Sequence, residues 1–244
     1  AITGSVGKTS TKDIVYEVVN KKYKTYKTQG NLNNHIGLPL TILSLKDEEA
    51  LVVEMGMNHQ GEIELLTNIA KPTVAIITNI GTAHIGNLGS RKNILKAKLE
   101  ILEGLQDNGT IIINNDNDLL HEYFKNNKTK YNLITIGINN KSNIMATNIK
   151  EEPFNSTFLI DNEKININVG GIPFIYNSLV AYSIGKLFNI NVKEIKEAIN
   201  NFKLSPHRQE LIINNKGVTI IDDTYNANID SMTSAINILG KVKG

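Results

Sequence analysis

Three observations predict an α/β fold with a mostly parallel, doubly wound sheet. Short apolar runs alternate with helical patterns over the first half of the chain, which is typical of strands joined by crossover helices. Several of these runs, such as residues 74–77, are apolar throughout, as expected of strands covered on both faces. The chain also opens on a glycine-rich loop that leads directly into a helical pattern.

The opening loop has the composition of a phosphate-binding loop. Residues 1–10 read A-I-T-G-S-V-G-K-T-S, a T-G-x-x-G-K-T variant in which Ile2 takes the place of the usual first glycine. Glycines let backbone N–H groups close on phosphate oxygens, Lys8 can reach the β- and γ-phosphates, and Thr9 can bind Mg²⁺. The alternative is a glycine turn with a surface lysine. The loop predicts a sheet of the P-loop type, with these nucleotide-contacting residues: Gly4, Ser5, Gly7, Lys8, Thr9 and Ser10.

The elements that follow the loop continue the same alternation. Apolar spacing predicts a helix after the loop and further helices over 62–70 and 92–105. The predicted strands lie at 23–27, 51–55, 74–78, 110–114 and 133–136.

The pattern changes near residue 144. Three closely spaced short strands at 144–149, 154–160 and 165–169 predict a small antiparallel subsheet, and helices are expected over 175–188 and 192–201. Residues 205–208 are interpreted as a boundary, followed by a hairpin-like strand pair and a helix over 231–239. We therefore expect a domain at 1–204 and the start of a second, Rossmann-like α/β domain at 205–244.

Composition excludes several function classes. The chain has 244 residues, no cysteine and a net charge of +2, which argues against disulfide or thiolate chemistry and against a nucleic-acid partner. No apolar run reaches the roughly 18 residues that span a bilayer, and no signal peptide is recognisable. We expect a cytoplasmic protein. Because the chain starts without Met and its first strand would be short, we also expect it to be an internal piece of a longer protein.

Polar residues collect where the predicted parallel strands end. Lys8 and Thr9 follow the first strand, Glu54 ends another, and Asn79 and His84 lie in the loop after a third. Ligands of open parallel sheets bind at this edge. A hydroxyl, a carboxylate and an imidazole beside a triphosphate predict a magnesium site. The alternatives are a helix-capping role for Glu54, and a loop hydrogen bond or a solvent position for His84.

Lys98 lies on the apolar face of its predicted helix. It is four residues from both Ile94 and Leu102, so it points with them towards the core. An inward lysine is unfavourable unless it is paired or modified. The alternative is that its stem is buried while its charged end reaches solvent.

Five longer segments of the chain form a recognisable set: T-G-S-V-G-K-T at 3–9, G-N-L-N-N-H-I-G-L-P-L-T at 30–41, E-M-G-M-N at 54–58, A-K-L-E-I at 97–101 and D-D-T-Y-N-A-N at 222–228. Together they resemble the Mur ligases, and the resemblance runs nearly from end to end. Within that family, the second and fifth segments are most similar to the ligases that add D-Ala-D-Ala to UDP-N-acetylmuramoyl-tripeptide.

The resemblance implies an ATP-dependent peptide ligase of peptidoglycan precursor synthesis. Such enzymes phosphorylate the terminal carboxylate of the tripeptide, and the amine of D-Ala-D-Ala then attacks the acyl phosphate. By the family pattern Lys98 is carbamylated by CO₂ and shares a second Mg²⁺ with His84, while Thr9 and Glu54 hold the first. These groups are the implied metal ligands, and Lys8, Glu54, His84 and Lys98 are the implied catalytic residues.

Further positions carry over from the family. Asn177 matches an adenine contact, and Arg208 and Asp223 match positions near the ATP phosphates and ribose. The implied substrate-side residues are Thr28, Asn31, Asn33, Asn34, Ser90, Asn226 and Asn228.

The chain also departs from the family pattern. Pro173 and Phe174 replace a frequent His-Asn pair, so apolar adenine contacts are expected, and Ile229 replaces a proline. The family's N-terminal uridine-binding domain is not in the sequence and its C-terminal domain is incomplete, so the activity of this piece alone stays open.

We expect a monomer. The alternatives are another Mur-type or folylpolyglutamate synthase-like ligase, a plain ATPase or kinase, and a non-catalytic nucleotide-binding module.

Overall fold

A computed structural model describes residues 1–213, 217–227 and 229–242. The strands are β1 (Ile2–Thr3), β2 (Thr25–Lys27), β3 (Ala50–Val52), β4 (Val74–Ile77), β5 (Thr110–Asn114), β6 (Asn132–Gly137), β7 (Ile144–Met145), β8 (Thr147–Glu151), β9 (Ser156–Ile160), β10 (Glu163–Ile167), β11 (Glu210–Ile213) and β12 (Thr219–Asp222). The helices are α1 (Lys8–Val19), α2 (Gly37–Leu43), α3 (Glu62–Ala70), α4 (Ile85–Leu88), α5 (Arg91–Leu99), α6 (Asp118–Asn126), α7 (Ile172–Leu187), α8 (Val192–Asn200) and α9 (Ile229–Leu239), with a 3-10 turn at Glu100–Leu102.

The central sheet is parallel, as the sequence predicts. Strands β1, β4, β5, β6 and β7 are neighbours in that order. The β2–β3 pair continues the sheet, because the N–H of Ile2 donates to Val53 O at 2.9 Å and the N–H of Met55 donates to Ile2 O at 2.8 Å. The loops after β1, β3 and β4 therefore meet at one edge of the sheet.

Alternate residues of the strands pack on opposite faces of the sheet. Ile76 and Ile112 belong to a core that also contains residues of α1, α7, α8 and the antiparallel strands. Ile77 and Ile113 belong to a second core with residues of α2, α3, α5 and α6. Because strand side chains alternate between faces, this division confirms the doubly wound prediction.

The antiparallel subsheet is confirmed with one correction. Its order is β10-β9-β8, but the strand predicted over 144–149 is two strands. Ile144 and Met145 pair in parallel with β6, whereas residues from Thr147 onwards pair antiparallel with β9. Asn148 adopts a φ of 51° within an irregular register, and this bend transfers the chain from one sheet to the other.

The helical predictions need several changes. The helix expected over 92–105 ends at Leu99 and tightens into the 3-10 turn. Helix α7 begins at Ile172 rather than at residue 175. Helices α2, α4 and α6 were not predicted: α2 has seven residues, α4 has four, and Leu120 is the one fully buried residue of α6. Helices with so little buried surface carry a weak periodic signal.

The last part of the described chain forms the predicted pair of strands and a helix. Strands β11 and β12 are antiparallel, with Glu210 opposite Asp222, and α9 begins at Ile229 rather than at residue 231. Among the described residues, no helix combines the length and apolarity that crossing a membrane requires.

Candidate active site

The glycine-rich loop takes its shape from the end of β4. Gly4 has a φ of 147°, and a Cβ built there would lie 1.9 Å from Thr78 Oγ1, a hydroxyl that donates to Val6 O at 2.7 Å. Asn79 accepts the N–H of Ser5 at its backbone oxygen (3.1 Å) and the N–H of Val6 at Oδ1 (3.0 Å). The close approach explains the glycine at position 4.

The loop ends at the N-terminus of α1. Gly7 is left-handed with a φ of 81° and precedes the helix, whose first residue is Lys8. Lys8 Nζ donates to Gly4 O at 3.0 Å, so the lysine folds back over the loop. Burial lowers the pKa of Lys8, and the charge of Glu54 partly opposes this shift. The unpaired N–H groups of a helix start and a lysine beside them favour an anion.

Glu54 links three loops. Its Oε2 accepts the hydroxyl of Thr9 at 2.8 Å, and its Oε1 accepts Asn33 Nδ2 at 2.8 Å. The side chain of Arg208 completes the group, because its Nη2 donates to Thr9 Oγ1 at 2.9 Å. Only 3% of Glu54 is exposed. The carboxylate therefore faces the phosphate loop and does not cap the next helix.

Lys98 is buried on the side of α5 that faces the core. It is 1% exposed, and its Nζ has no hydrogen-bond partner among the described residues. Burial, reinforced by the charge of Lys8 and partly opposed by that of Glu54, holds the pKa of Lys98 well below its usual value. The side chain therefore does not reach solvent, and burial favours the uncharged form of the amine over the ammonium.

His84 lies near both lysines. It precedes α4 in a left-handed conformation with a φ of 64°, and it is exposed. Partial burial lowers its pKa, and the charges of Lys98 and Lys8 lower it further. The structure thus brings Lys8, Glu54, His84 and Lys98 into one electrostatic neighbourhood at the predicted edge of the sheet.

A cavity of about 600 Å³ adjoins the phosphate loop. Pro173 and Phe174 line it together with Asn177, whose Oδ1 accepts the hydroxyl of Thr11 at 3.0 Å. Sequence reasoning missed other lining residues, most of which lie at strand ends or helix starts. The strand-end rule, applied to β5, could have found Asn114. The missed residues include Arg91, Asn114, Asn117 and Tyr176.

The residues after position 205 also reach this cavity. Arg208, Gln209 and Asp223 line it. The guanidinium carbon of Arg208 lies 4.0 Å from the ring centroid of Tyr225, within cation–π range. Asp223 accepts the N–H of Gln209 at 3.3 Å, and burial raises its pKa.

One predicted substrate residue has a different position from the one expected. Thr28 is completely buried, and its Oγ1 accepts the N–H of Glu54 at 3.0 Å. Its side chain is thus closed off from solvent and engaged by the backbone of Glu54. Asn33 likewise supports Glu54 directly, although it is only half-buried.

The other predicted substrate residues organise loops near the site. Asn34 Oδ1 accepts the N–H groups of Ile36 and Gly37 at the start of α2. Ser90 caps α5 by accepting the N–H of Asn93 at 3.2 Å. Substrate contact by these side chains stays a prediction.

The remaining members of the predicted set are less constrained. Asn31 is exposed, and Asn226 is exposed with its Oδ1 accepting the N–H of Ala227 at 2.9 Å. Asn228 lies outside the described residues.

Comparisons with known proteins agree with this geometry. A UDP-N-acetylmuramoyl-tripeptide–D-alanyl-D-alanine ligase of Bacillus subtilis (strain 168) is 38% identical over all of this chain and 53% of its own length. MurF from Acinetobacter baumannii superposes with a TM-score of 0.93 at 31% identity, covering 100% of this chain and 54% of that one. MurF ligase from Thermotoga maritima, solved in complex with ADP, gives 0.88 at 28% identity, covering 100% and 57%.

The chain spans about half the length of the curated relatives it matches. Residues 2–185 match the Mur ligase middle domain. This match covers the phosphate loop, Glu54, His84, Lys98 and Asn177. The chain therefore belongs to the Mur ligase family.

Proposed function

We propose that this chain is the ATP-binding part of a ligase that adds D-Ala-D-Ala to UDP-N-acetylmuramoyl-tripeptide during peptidoglycan precursor synthesis. The observation that carries the proposal is Lys98, a buried amine with no described hydrogen-bond partner, in the same neighbourhood as the phosphate loop and Glu54. A site built only to bind a nucleotide has no evident need for such an amine. The names of the relatives given above support the substrate assignment.

ATP is the proposed nucleotide. The phosphate loop provides the N–H groups at the start of α1 and the ammonium of Lys8 for the phosphates. The adjoining cavity offers Phe174 and Pro173 as apolar contacts for adenine, with Asn177 beside them. Arg208 and Asp223 line the same cavity and suit the phosphates and the ribose. The ADP complex of the Thermotoga maritima relative supports the assignment of an adenine nucleotide.

The residues present fit two Mg²⁺ ions and a lysine carbamate. Thr9 and Glu54 form a hydroxyl–carboxylate pair joined at 2.8 Å, and they would hold one ion. The buried, unpartnered Nζ of Lys98 fits reaction with CO₂, and the carbamate together with His84 would hold the other. When bound, these groups would neutralise the negative charge that develops on the phosphate oxygens.

The chain's own residues then position the reactants. The γ-phosphoryl group moves from ATP to the terminal carboxylate of the tripeptide, and ADP leaves; the D-Ala-D-Ala amine attacks the acyl carbon, and phosphate leaves. Lys8 and the start of α1 orient the phosphates, and Asn33 holds Glu54 by its Oε1. Catalysis of phosphoryl transfer depends largely on such positioning and electrostatic stabilisation.

We assign residues 1–204 to the central ATP-binding domain and 205–244 to the beginning of a further ligase domain. Support comes from apolar side chains that β11, β12, α9 and the residues beside them leave exposed, since a folded domain would cover such a surface. In this proposal the uridine-binding domain lies outside the sequence. The exposed residues are Leu211, Ile212, Val218, Ile220, Ile229, Met232, Ile236 and Leu239.

An enzyme that consumes ATP and a UDP-linked precursor is expected in the cytoplasm. We propose that it acts as a monomer.

Phosphate release tests the proposal. The protein that contains this chain is incubated with ATP, Mg²⁺ and UDP-N-acetylmuramoyl-tripeptide, with either lysine or diaminopimelate as the third residue, and D-Ala-D-Ala is added or withheld. We expect release that depends on the dipeptide, with a new amide product. Lys98→Ala is expected to abolish release but to keep nucleotide affinity, whereas Lys96→Ala, on the exposed face of α5, is expected to change neither.

Other outcomes identify the alternatives. Release that ignores both substrates indicates a general ATPase, and bound ATP without release indicates a non-catalytic module. Release that appears only with a different acceptor amine indicates another ligase of the same fold.

A further inference from the structure

We propose that Lys12 is a positioning residue that acts through Thr28 to fix Glu54 opposite Thr9. The inference rests on the proposed function, because it concerns how the chain prepares its magnesium-binding pair. Lys12 was not among the predicted site residues, and it touches neither the phosphate loop nor the nucleotide cavity in the contacts described here.

Lys12 and Thr28 form a buried path to Glu54. Lys12 lies one helical turn after Lys8 in α1, is 3% exposed, and donates from Nζ to Thr28 O at 2.9 Å. Thr28 is completely buried, donates its N–H to Val52 O at 3.0 Å, and accepts the N–H of Glu54 at Oγ1. Thr28 therefore joins α1 to the strand end that carries Glu54.

An ion pair balances the charge of Lys12, but stability alone does not explain why a lysine occupies this buried position. Its Nζ lies 3.3 Å from Asp13 Oδ1, which is also 3.0 Å from Lys27 Nζ. Asp13 Oδ2 accepts the hydroxyl of Ser205 at 2.7 Å. Replacing a buried ion pair by apolar residues of similar volume is often neutral or stabilising. A directed hydrogen bond to Thr28 gives this charge a role that an apolar side chain would lack.

The path determines the geometry of the metal-binding pair. Helix α1 carries both Thr9 and Lys12, so the bond from Lys12 to Thr28 ties the helix start to the loop behind Glu54. Glu54 is then held at both ends, by Thr28 at its backbone N–H and by Thr9 and Asn33 at its carboxylate oxygens. A ligand pair held in this way loses less conformational entropy when it binds a cation.

Two measurements on the full chain test this role. The first is amide hydrogen exchange of Glu54 without any ligand; the second is the ratio of ADP affinities with Mg²⁺ and with EDTA. The variants are Lys12→Met and Thr28→Val, and the second leaves the ion pairs of Asp13 intact should the first fail to fold. Thr28→Ser keeps the hydroxyl, and Lys21→Met removes an exposed lysine that pairs with Glu197 at 2.8 Å.

We expect Lys12→Met and Thr28→Val each to speed exchange of the Glu54 amide at least tenfold and to reduce the Mg²⁺-dependent gain in ADP affinity at least tenfold. Thr28→Ser and Lys21→Met should resemble the wild type in both measurements. Wild-type exchange and an unchanged affinity ratio in both Lys12→Met and Thr28→Val, even with a lower melting temperature, would show a merely structural role and overturn the inference. Failure of the proposed function is distinguishable, because it is read from phosphate release by the wild type, whereas the exchange measurement still reports on the path from Lys12 to Glu54.

Discussion

Replacing Lys98 by Met should stabilise the fold while it removes the proposed activity. Met has a similar length and is apolar, so it can fill the space of a side chain that is 1% exposed. The wild-type Nζ has no hydrogen-bond partner among the described residues. An unsatisfied buried polar group costs about 1–3 kcal/mol. We therefore expect Lys98→Met to raise the free energy of unfolding by about 1–3 kcal/mol at neutral pH.

The pH dependence sharpens this prediction. The pKa of Lys98 in the folded chain lies well below the ordinary value of 10.5. Between the two values the unfolded chain binds more protons than the folded one, so stability rises with pH until the ordinary pKa is passed. This single group can contribute a slope of at most about 1.4 kcal/mol per pH unit. The slope should be absent in Lys98→Met.

The assay is urea unfolding in buffer depleted of CO₂, so that the amine is unmodified, at a series of pH values. Lys96→Met is the matched control, because Lys96 lies on the exposed side of the same helix; it should stay within about 0.5 kcal/mol of the wild type. A Lys98→Met variant that is less stable than the wild type, with the same pH slope, would refute the reasoning that this amine is buried without compensation.

Three further predictions concern other parts of the chain. Gly4→Ala should lower the free energy of unfolding by about 2–5 kcal/mol in urea titrations, because the cost of a strained φ adds to the cost of displacing a buried hydroxyl. Gly86→Ala is the control and should not lower it, because open space surrounds Gly86. Equal stability of the two variants would contradict the described loop. Asp222 raises the pKa of His207 above 6.5, so this pair stabilises the fold below that pH, and its contribution is lost as the pH rises through the folded pKa. His207→Gln should flatten that decline when the melting temperature is followed against pH. An unchanged pH profile of the melting temperature would argue against the pair. Phe174→Ala removes a 5% exposed ring and should lower the free energy of unfolding by about 3–5 kcal/mol and weaken ADP binding in fluorescence titrations; unaltered ADP affinity would place the adenine elsewhere.

Much of the fold followed from local patterns. The parallel strands β4 and β5 are centred on short apolar runs, and the helix Glu62–Ala70 has the bounds that its periodicity predicts. The exchange of sheets near Ala146 was not predictable, because Ile144 and Thr147 look alike as strand residues and differ only in the partner strand available to each. Pairing partners are far apart in sequence, so periodicity carries no information about them.

In the candidate site too, local patterns indicated some residues, and long-range contacts fixed the position of others. Loop chemistry pointed to Lys8 and Thr9, and helical spacing pointed to Lys98. The same sequence placed Thr28 on the substrate side, although its hydroxyl is buried against the backbone of Glu54.

The sequence by itself determined the alternation of strands and helices, the phosphate loop and the inward direction of Lys98, because these depend on spacing and on local backbone chemistry. Only the tertiary structure decided that Thr9, Asn33 and Arg208 meet around Glu54, and that Lys12 reaches it through Thr28. These contacts join loops far apart along the chain. Their distances follow from how the helices pack on the sheet, and packing is a property of the whole fold rather than of any one segment.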